Sequence, residues 1–274
     1  MFLNLFNMRL KDKVIIVTGS TTGIGKAIAL RCSVEGAFII LHGLEEDWGK
    51  EVVEELGKDK AVLHIEDISN EGAPERLVKL ATDNFGKLDA VVNNAAIVAS
   101  SNIHTTDLAY LRRLIEVNTV APFALIKAAL PELTKNHGCV LNIGSVNAYS
   151  GEPNLLAYSM SKGALMTMTR NLGDTLHREN GVRVNQINPG WVLTETERIR
   201  KKEHGLPENW YEDISPVYAP AGRILWPAEI AAAAVYWLAD ECGPISGQVV
   251  ELEQHPFIGR NPPKDASAMK SPEL

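Results

Sequence analysis

A chain of 274 residues, 45% of them hydrophobic, is long enough for one large globular unit or two small ones, and at this size roughly three quarters of the surface exposed by the unfolded chain can be buried without disulfide staples. The net charge of -7 argues against nucleic acid as main partner, since neutralising phosphates needs a basic face, but it leaves room for a locally positive pocket that takes a small anion. Three widely spaced cysteines, Cys32, Cys139 and Cys242, contain no C-x-x-C pair, so neither a zinc site nor a disulfide framework is expected and a reducing cytoplasm fits best.

The first residues are apolar only briefly (Phe2, Leu3, Leu5, Phe6), too short a run for a secretory signal, so 1–9 read as an N-terminal extension. No stretch of about 20 apolar residues suggests a membrane span. From there short apolar runs alternate with longer helical ones. The expected strands cover 14–18, 38–42, 60–64, 90–93, 139–143, 183–187 and 248–251. Between them the expected helices cover 23–35, 45–56, 73–85, 107–136, 156–180 and 228–238. Strands that are apolar without alternation are buried on both faces, and helical crossovers between them require parallel pairing. The fold class is therefore α/β, a doubly wound Rossmann sheet with helices on both faces, spanning residues 10–254 without an internal linker. Residues 190–226, with Pro207, Pro216 and Pro220, read as a long irregular insertion, and 255–274 as a polar tail.

Thr18-Gly19-Ser20-Thr21-Thr22-Gly23-Ile24-Gly25 lies between the first strand and the first helix. Glycines there let the backbone turn sharply and approach a pyrophosphate, whose charge a helix N-terminus favours. The end of the second strand, which normally reads the adenine ribose, runs Leu41-His42-Gly43-Leu44-Glu45-Glu46. It offers no Asp for the ribose hydroxyls and no Arg for a 2′-phosphate. Glu45 and Glu46 would repel such a phosphate, so NAD is favoured and NADP not excluded.

Tyr158 and Lys162 stand at i and i+4, on one face of a helix. A tyrosine hydroxyl is a poor base at neutral pH; a neighbouring ammonium stabilises its phenolate and brings it towards working range. Ser145, at a strand end, is placed to hydrogen-bond the same substrate oxygen. Taken alone, such a Tyr and Lys would be an ordinary surface pair.

The glycine loop, Asn93-Asn94-Ala95-Ala96, Asn118, Ser145, Tyr158-x-x-x-Lys162 and Pro189-Gly190 occur in that order. Together they resemble the single-domain short-chain dehydrogenases/reductases over about residues 10–252. The resemblance implies an NAD(P)-dependent oxidoreductase with Tyr158 as general acid/base and Ser145 orienting the reacting oxygen. Lys162 would lower the Tyr158 pKa and hold the nicotinamide ribose, and Asn118 would anchor a water in the proton relay. Gly19, Thr21, Gly23, Ile24 and Gly25 would cradle the dinucleotide, and Asn93, Asn94 and Ala95 would line its adenosine side. Asp67, followed by Ile68, corresponds to the position beside adenine, and Val192 and Thr194, after Pro189-Gly190, to contacts with the nicotinamide amide. The family also implies a homotetramer.

Two departures stand out. Ala96 replaces the usual last glycine of its motif, and Val250-Glu251-Leu252-Glu253-Gln254-His255 replaces the usual Asp-Gly-Gly ending; in the family's tetramers this segment is an interface loop, or one through which Gln254 or His255 would touch substrate in a neighbouring subunit. The substrate pocket is expected from 147–155 and the insertion after Gly190, with Asn147, Tyr149, Glu152, Asn154, Trp191 and Thr196 as candidates. That lining is polar, which suits a small polyol, sugar or sugar acid better than a steroid or acyl chain. Arg198, Arg200, Lys201 and Lys202 would attract a carboxylate or phosphate, or simply form a solvated helix face. The competing readings are a 3-oxoacyl-thioester reductase and a non-catalytic dinucleotide sensor. No metal is called for.

Overall fold

The computed structural model describes residues 8–256, so the expected extension (1–9) and tail (255–274) fall almost wholly outside the described residues. Seven strands form one sheet: β1 Val14–Val17, β2 Phe38–Gly43, β3 Ala61–Ile65, β4 Ala90–Asn93, β5 Cys139–Ile143, β6 Arg183–Pro189 and β7 Val249–Leu252. All neighbours pair in parallel, in the order β3-β2-β1-β4-β5-β6-β7. The helices are α1 Gly23–Val34, α2 Glu46–Leu56, α3 Ala73–Phe85, α4 Leu108–Ile115, α5 Ala121–Lys135, α6 Asn147–Ser150, α7 Leu156–Asn180, α8 Glu195–Glu203 and α9 Pro227–Leu238.

Successive strand residues face opposite ways, and in this sheet both ways lead into a core. Ile15, Val17, Ile39 and Leu41 meet Ile28 and Cys32 of α1, Val52 of α2 and Ile230 and Val235 of α9. Val14, Ile16, Ile40 and Val91 meet Leu77 of α3, Leu125 and Leu133 of α5 and Leu176 of α7. Each such side chain removed from water contributes about 1.5–3 kcal/mol, which explains the nearly unbroken apolar strands. Between β1 and β4 the winding direction reverses. The chain leaves those strands towards opposite faces, and a crevice opens at their carboxyl ends. The exits of β1, β4, β5 and β6 converge there.

Three features differ from expectation. The helix expected over 107–136 is interrupted by a wide, π-type turn at Glu116–Val120, which inserts one residue and separates α4 from α5. The whole run Leu108–Lys135 is long and apolar enough to cross a bilayer by length and composition, yet Leu125, Ile126, Ala129 and Leu133 are spent on the sheet. The insertion at 190–226 is not irregular throughout. It holds α8 and a 3-10 turn, Trp210–Glu212, around a small core of Leu193, Trp210, Ile214, Ala219 and Ile224. A short α6, not anticipated, follows Ser145.

Candidate active site

The glycine loop is strapped to its neighbours by side chains. Thr18 Oγ1 accepts the backbone N–H groups of Asn94 and Ala95, both at 3.0 Å, and Asn94 Nδ2 donates to the Thr18 and Gly19 carbonyls at 2.9 Å. Gly19 and Gly23 have φ of +61° and +57°, left-handed values that glycine adopts without strain. A Cβ on Gly25 would collide with the Gly19 carbonyl, so the loop folds tightly onto the start of α1, with Ile24 packed on the core beside it. The result is a bare backbone cradle at a helix N-terminus, and it fits the pyrophosphate of a dinucleotide. Thr194, the N-cap of α8, brings its methyl group against Gly23, so the exit of β6 closes over the cradle. Val192 is buried just before it and Gly190 lies against Glu253, which accepts the Trp191 N–H at 3.0 Å.

At the β2 exit, a side chain on Gly43 would collide with Thr21, which explains why no Asp stands there. A carboxylate arrives from the next turn instead: Glu45 Oε2 accepts the Thr21 hydroxyl at 2.6 Å and the Leu44 N–H at 3.3 Å. Sequence reasoning missed His42. Its ring is buried, its Nδ1 accepts the Gly19 N–H at 3.4 Å, and desolvation lowers its pKa to about 4, so it is neutral at physiological pH. Asp67, past β3, accepts both the N–H and hydroxyl of Ser69 and forms an ion pair with Arg113 of α4. It does not cap α3, whose N-cap is Gly72. Ile68, beside it, is buried in the core.

Tyr158 and Lys162 project from the first turns of α7, and both are buried, at 8% and 3% exposure. The Lys162 ammonium lies 5.7 Å from the Tyr158 ring centroid and donates to the Ile143 carbonyl at 2.7 Å. Desolvation lowers the Lys162 pKa to about 8. Burial raises the Tyr158 pKa, while a hydrogen bond with Ser145 and the positive charge of Arg200 act in the opposite direction. Asn118 sits inside the wide turn between α4 and α5. It clasps Ile97 by both backbone groups, at 2.8 and 3.0 Å, and donates to Ser161 Oγ at 3.0 Å. Its bonds thus run to the loop after β4 and to α7, and not to Lys162 itself.

Ser145 is held from behind. Its N–H donates to Asn188 Oδ1 at 3.1 Å, and Asn188 also accepts from Gln186 Nε2 at 2.7 Å. Gln186 accepts the Thr169 hydroxyl at 2.7 Å, Thr169 accepts from Asn142 Nδ2 at 2.8 Å, and Asn142 accepts from Asn93 at 2.8 Å. This chain of amides and one hydroxyl crosses β4, β5, α7 and β6, and every member is at most 3% exposed. Gly144 carries no side chain because any Cβ would collide with Asn188 and Gln186. Gln186 and Asn188 were not singled out in advance. The signal was three amides, Asn185, Gln186 and Asn188, inside one fully buried strand.

The substrate-side candidates divide. Asn147 donates to Glu152 at 3.4 Å, and the Tyr149 phenol borders Asn188. The Asn154 carbonyl accepts the Ser101 N–H at 2.8 Å. Trp191 stacks on Trp210, ring centroids 5.3 Å apart, and its indole N–H donates to the buried Glu197 at 2.9 Å. Thr196 is on the exposed side of α8. The basic run is not one solvated face: Arg198 and Lys202 are exposed, whereas Arg200 and Lys201 turn inward onto Glu197. Gln254 bonds the Ala221 N–H and the Arg223 carbonyl, tying the end of β7 to its own insertion. His255 lies beside Pro256.

Known proteins share this arrangement of sequence. A family model described as Enoyl-(Acyl carrier protein) reductase matches residues 19–253. Meso-2,3-butanediol dehydrogenase of Serratia marcescens is 31% identical over 251 residues, covering 90% of this chain and 95% of the relative. Glucose 1-dehydrogenase 2 of Bacillus subtilis is 35% identical over 250 residues, with 89% and 94% covered. L-fucose dehydrogenase of Mus musculus is 36% identical over 234 residues, with 85% and 84% covered.

Proposed function

The chain belongs to the short-chain dehydrogenase/reductase family and is a nicotinamide-dependent oxidoreductase; we propose that it interconverts a secondary alcohol and its ketone on a small polyol or sugar, with Tyr158 as acid/base. The observation that carries this reading is the burial of Tyr158 and Lys162 together beside Ser145, at the strand edge that also bears the glycine cradle.

When bound, the nicotinamide supplies the hydride acceptor or donor. The cradle of Gly19, Thr21, Gly23, Ile24 and Gly25 would hold the dinucleotide, with Asp67, Ile68, Asn94 and Ala95 on its adenosine side and Pro189, Gly190, Val192 and Thr194 on its nicotinamide side. Ser145, fixed by Asn188, donates to the reacting oxygen and stabilises charge that develops on it. Tyr158 takes the hydroxyl proton during oxidation and returns it during reduction. The Lys162 ammonium favours the phenolate against the desolvation that opposes it. Asn118 positions this relay by joining the loop after β4 to α7. Asn147, Glu152 and Trp191 would line the substrate.

The Glu45 carboxylate at the β2 exit, with no arginine paired to it among the described residues, supports NAD over NADP. Three buried free thiols agree with a reducing cytoplasm, and exposed Leu108 on α4, Val120 in the wide turn after it and Phe123 on α5 support self-association as a homotetramer. The acyl-thioester alternative is disfavoured by the polar lining. The deciding experiment is Tyr158→Phe assayed on a polyol and sugar panel: cofactor affinity is retained while kcat falls about 10²–10⁴-fold. Unchanged turnover refutes the assignment.

A further inference from the structure

The insertion at 190–226 is built as a unit of its own, with a small core separate from the two cores that flank the sheet. Its two legs reach the main body through Val192, buried in the core under α1 and α9, and Leu225, packed against the same core. The legs also pair with each other: the Leu193 N–H donates to the Leu225 carbonyl at 2.8 Å, and the Leu225 N–H to the Trp191 carbonyl at 2.9 Å. Their root touches the catalytic segment, because Asn188 accepts the Ser145 N–H at 3.1 Å and the Pro189 carbonyl accepts the Val146 N–H at 3.2 Å. Whatever fixes the legs therefore sets where the insertion stands relative to Ser145.

Two consecutive side chains past β7 grip one leg each. Glu253 takes the entry leg: Oε2 accepts the Trp191 N–H at 3.0 Å, Oε1 accepts the Gln254 N–H at 2.7 Å, and the bare α-carbon of Gly190 leaves room for the carboxylate. Gln254 takes the exit leg, where its Oε1 accepts the Ala221 N–H at 2.9 Å and its Nε2 donates to the Arg223 carbonyl. Two points of attachment stop that leg from pivoting, as a single bond would not. An Asp-Gly-Gly ending has no side-chain amide, so this grip follows from the ending that the present chain carries. We propose that Gln254 is a positioning residue for the reaction: it holds the exit leg and presets the substrate side of the site, while Glu253, through the entry leg, presets the dinucleotide side. The position of Thr194 supports this division, since its methyl group lies against Gly23 of the cradle and it follows Trp191 on the leg that Glu253 holds. A wall ordered in advance spares the substrate the entropy of ordering it, so loosening the grip is felt as weaker substrate binding. The proposal rests on the oxidoreductase reading above and deepens it; no bond is made or broken at either residue.

The test is Gln254→Met in the full chain, since methionine keeps the length of the side chain and loses both bonds. With the best-used member of a polyol and sugar panel, KM for the substrate is expected to rise about tenfold, equivalent to about 1.4 kcal/mol or one to two net hydrogen bonds. KM for the dinucleotide is expected to stay within about twofold, with the urea midpoint unchanged. Trypsin should cut the variant faster at Arg198 and Lys202, both exposed on the insertion. Glu253→Ala should raise both Michaelis constants, and Gln248→Met, the same substitution at an exposed position just before β7, should raise neither. An unchanged substrate KM in Gln254→Met overturns the proposal. So does a parallel rise of both constants with a lowered urea midpoint, which marks a residue that only stabilises the fold. Absence of turnover by the unmodified enzyme overturns the oxidoreductase reading and this role with it, whereas an active enzyme insensitive to Gln254→Met overturns this role alone.

Discussion

Thr169→Val isolates the buried polar chain behind Ser145 from the catalytic groups themselves. The two side chains have nearly the same shape, so no cavity is made. The hydroxyl is fully buried, donates to Gln186 Oε1 at 2.7 Å and accepts from Asn142 Nδ2 at 2.8 Å. Valine leaves one acceptor and one donor without partners, and each costs about 1–3 kcal/mol in a dry interior. The sum is about 2–6 kcal/mol, large against a typical total stability of roughly 5–15 kcal/mol. In urea the midpoint should fall at unchanged slope, and the melting temperature should drop by about 2–4 °C for each kcal/mol. Loosening Gln186 also releases Asn188, so kcat should decline while dinucleotide affinity holds, because the cradle lies on the other side of β4. A loss below about 1 kcal/mol would mean that the amides find new partners by small rotations, and that the chain does not fix Ser145.

Acid stability should carry a histidine signature. His42 has its pKa lowered from 6.5 to about 4, so the unfolded chain binds a proton first as pH falls, and stability declines between about 6.5 and 4 by up to roughly 3 kcal/mol. His42→Gln should flatten that part of the denaturation profile; an unchanged slope would place the acid sensitivity elsewhere. Gly144→Ala forces a methyl group into Asn188 and Gln186 and should cost several kcal/mol in chemical denaturation, whereas Gly86→Ala meets no atom and should cost only the strain of its left-handed backbone, about 1 kcal/mol. Isothermal titration should give NAD binding at least tenfold tighter than NADP, and Glu45→Ala should narrow the difference. Tighter NADP binding by the unmodified protein would reverse the assignment.

Strands were legible because burial on both faces leaves an apolar run that needs no partner to be recognised. Helices with one buried stripe, such as α2 and α3, were legible for the same local reason. The break around Asn118 was not, since a single inserted residue leaves the apolar content of 107–136 almost unchanged. α8 was hidden by its own composition. Glu195–Glu203 is nearly all charged, and the residues that hold it down, Trp191 and Trp210, lie outside it. Tyr158, Lys162 and Ser145 could be named from spacing and motif order, but the inward turn of Arg200 depends on Glu197 and on a stacked pair nineteen residues apart in sequence. Position 43 shows the reverse case. The missing acid was visible in the sequence, and its cause, the Thr21 side chain beside the strand, was not.

The strand order bears on how the protein is made. β1, β2 and β3 are adjacent in the sheet and consecutive in the chain, so their mutual pairings are complete once β3 has been made. β1 nevertheless presents an unpaired edge until β4, at Ala90–Asn93, has left the ribosome. Tyr158 follows the glycine loop by more than a hundred residues, which at 5–20 residues per second is a delay on the order of ten seconds. During that interval a nascent chain can own a dinucleotide cradle without any means of using what it binds. Nucleotide in the cell could thus act on the growing polypeptide as a folding ligand before the enzyme exists.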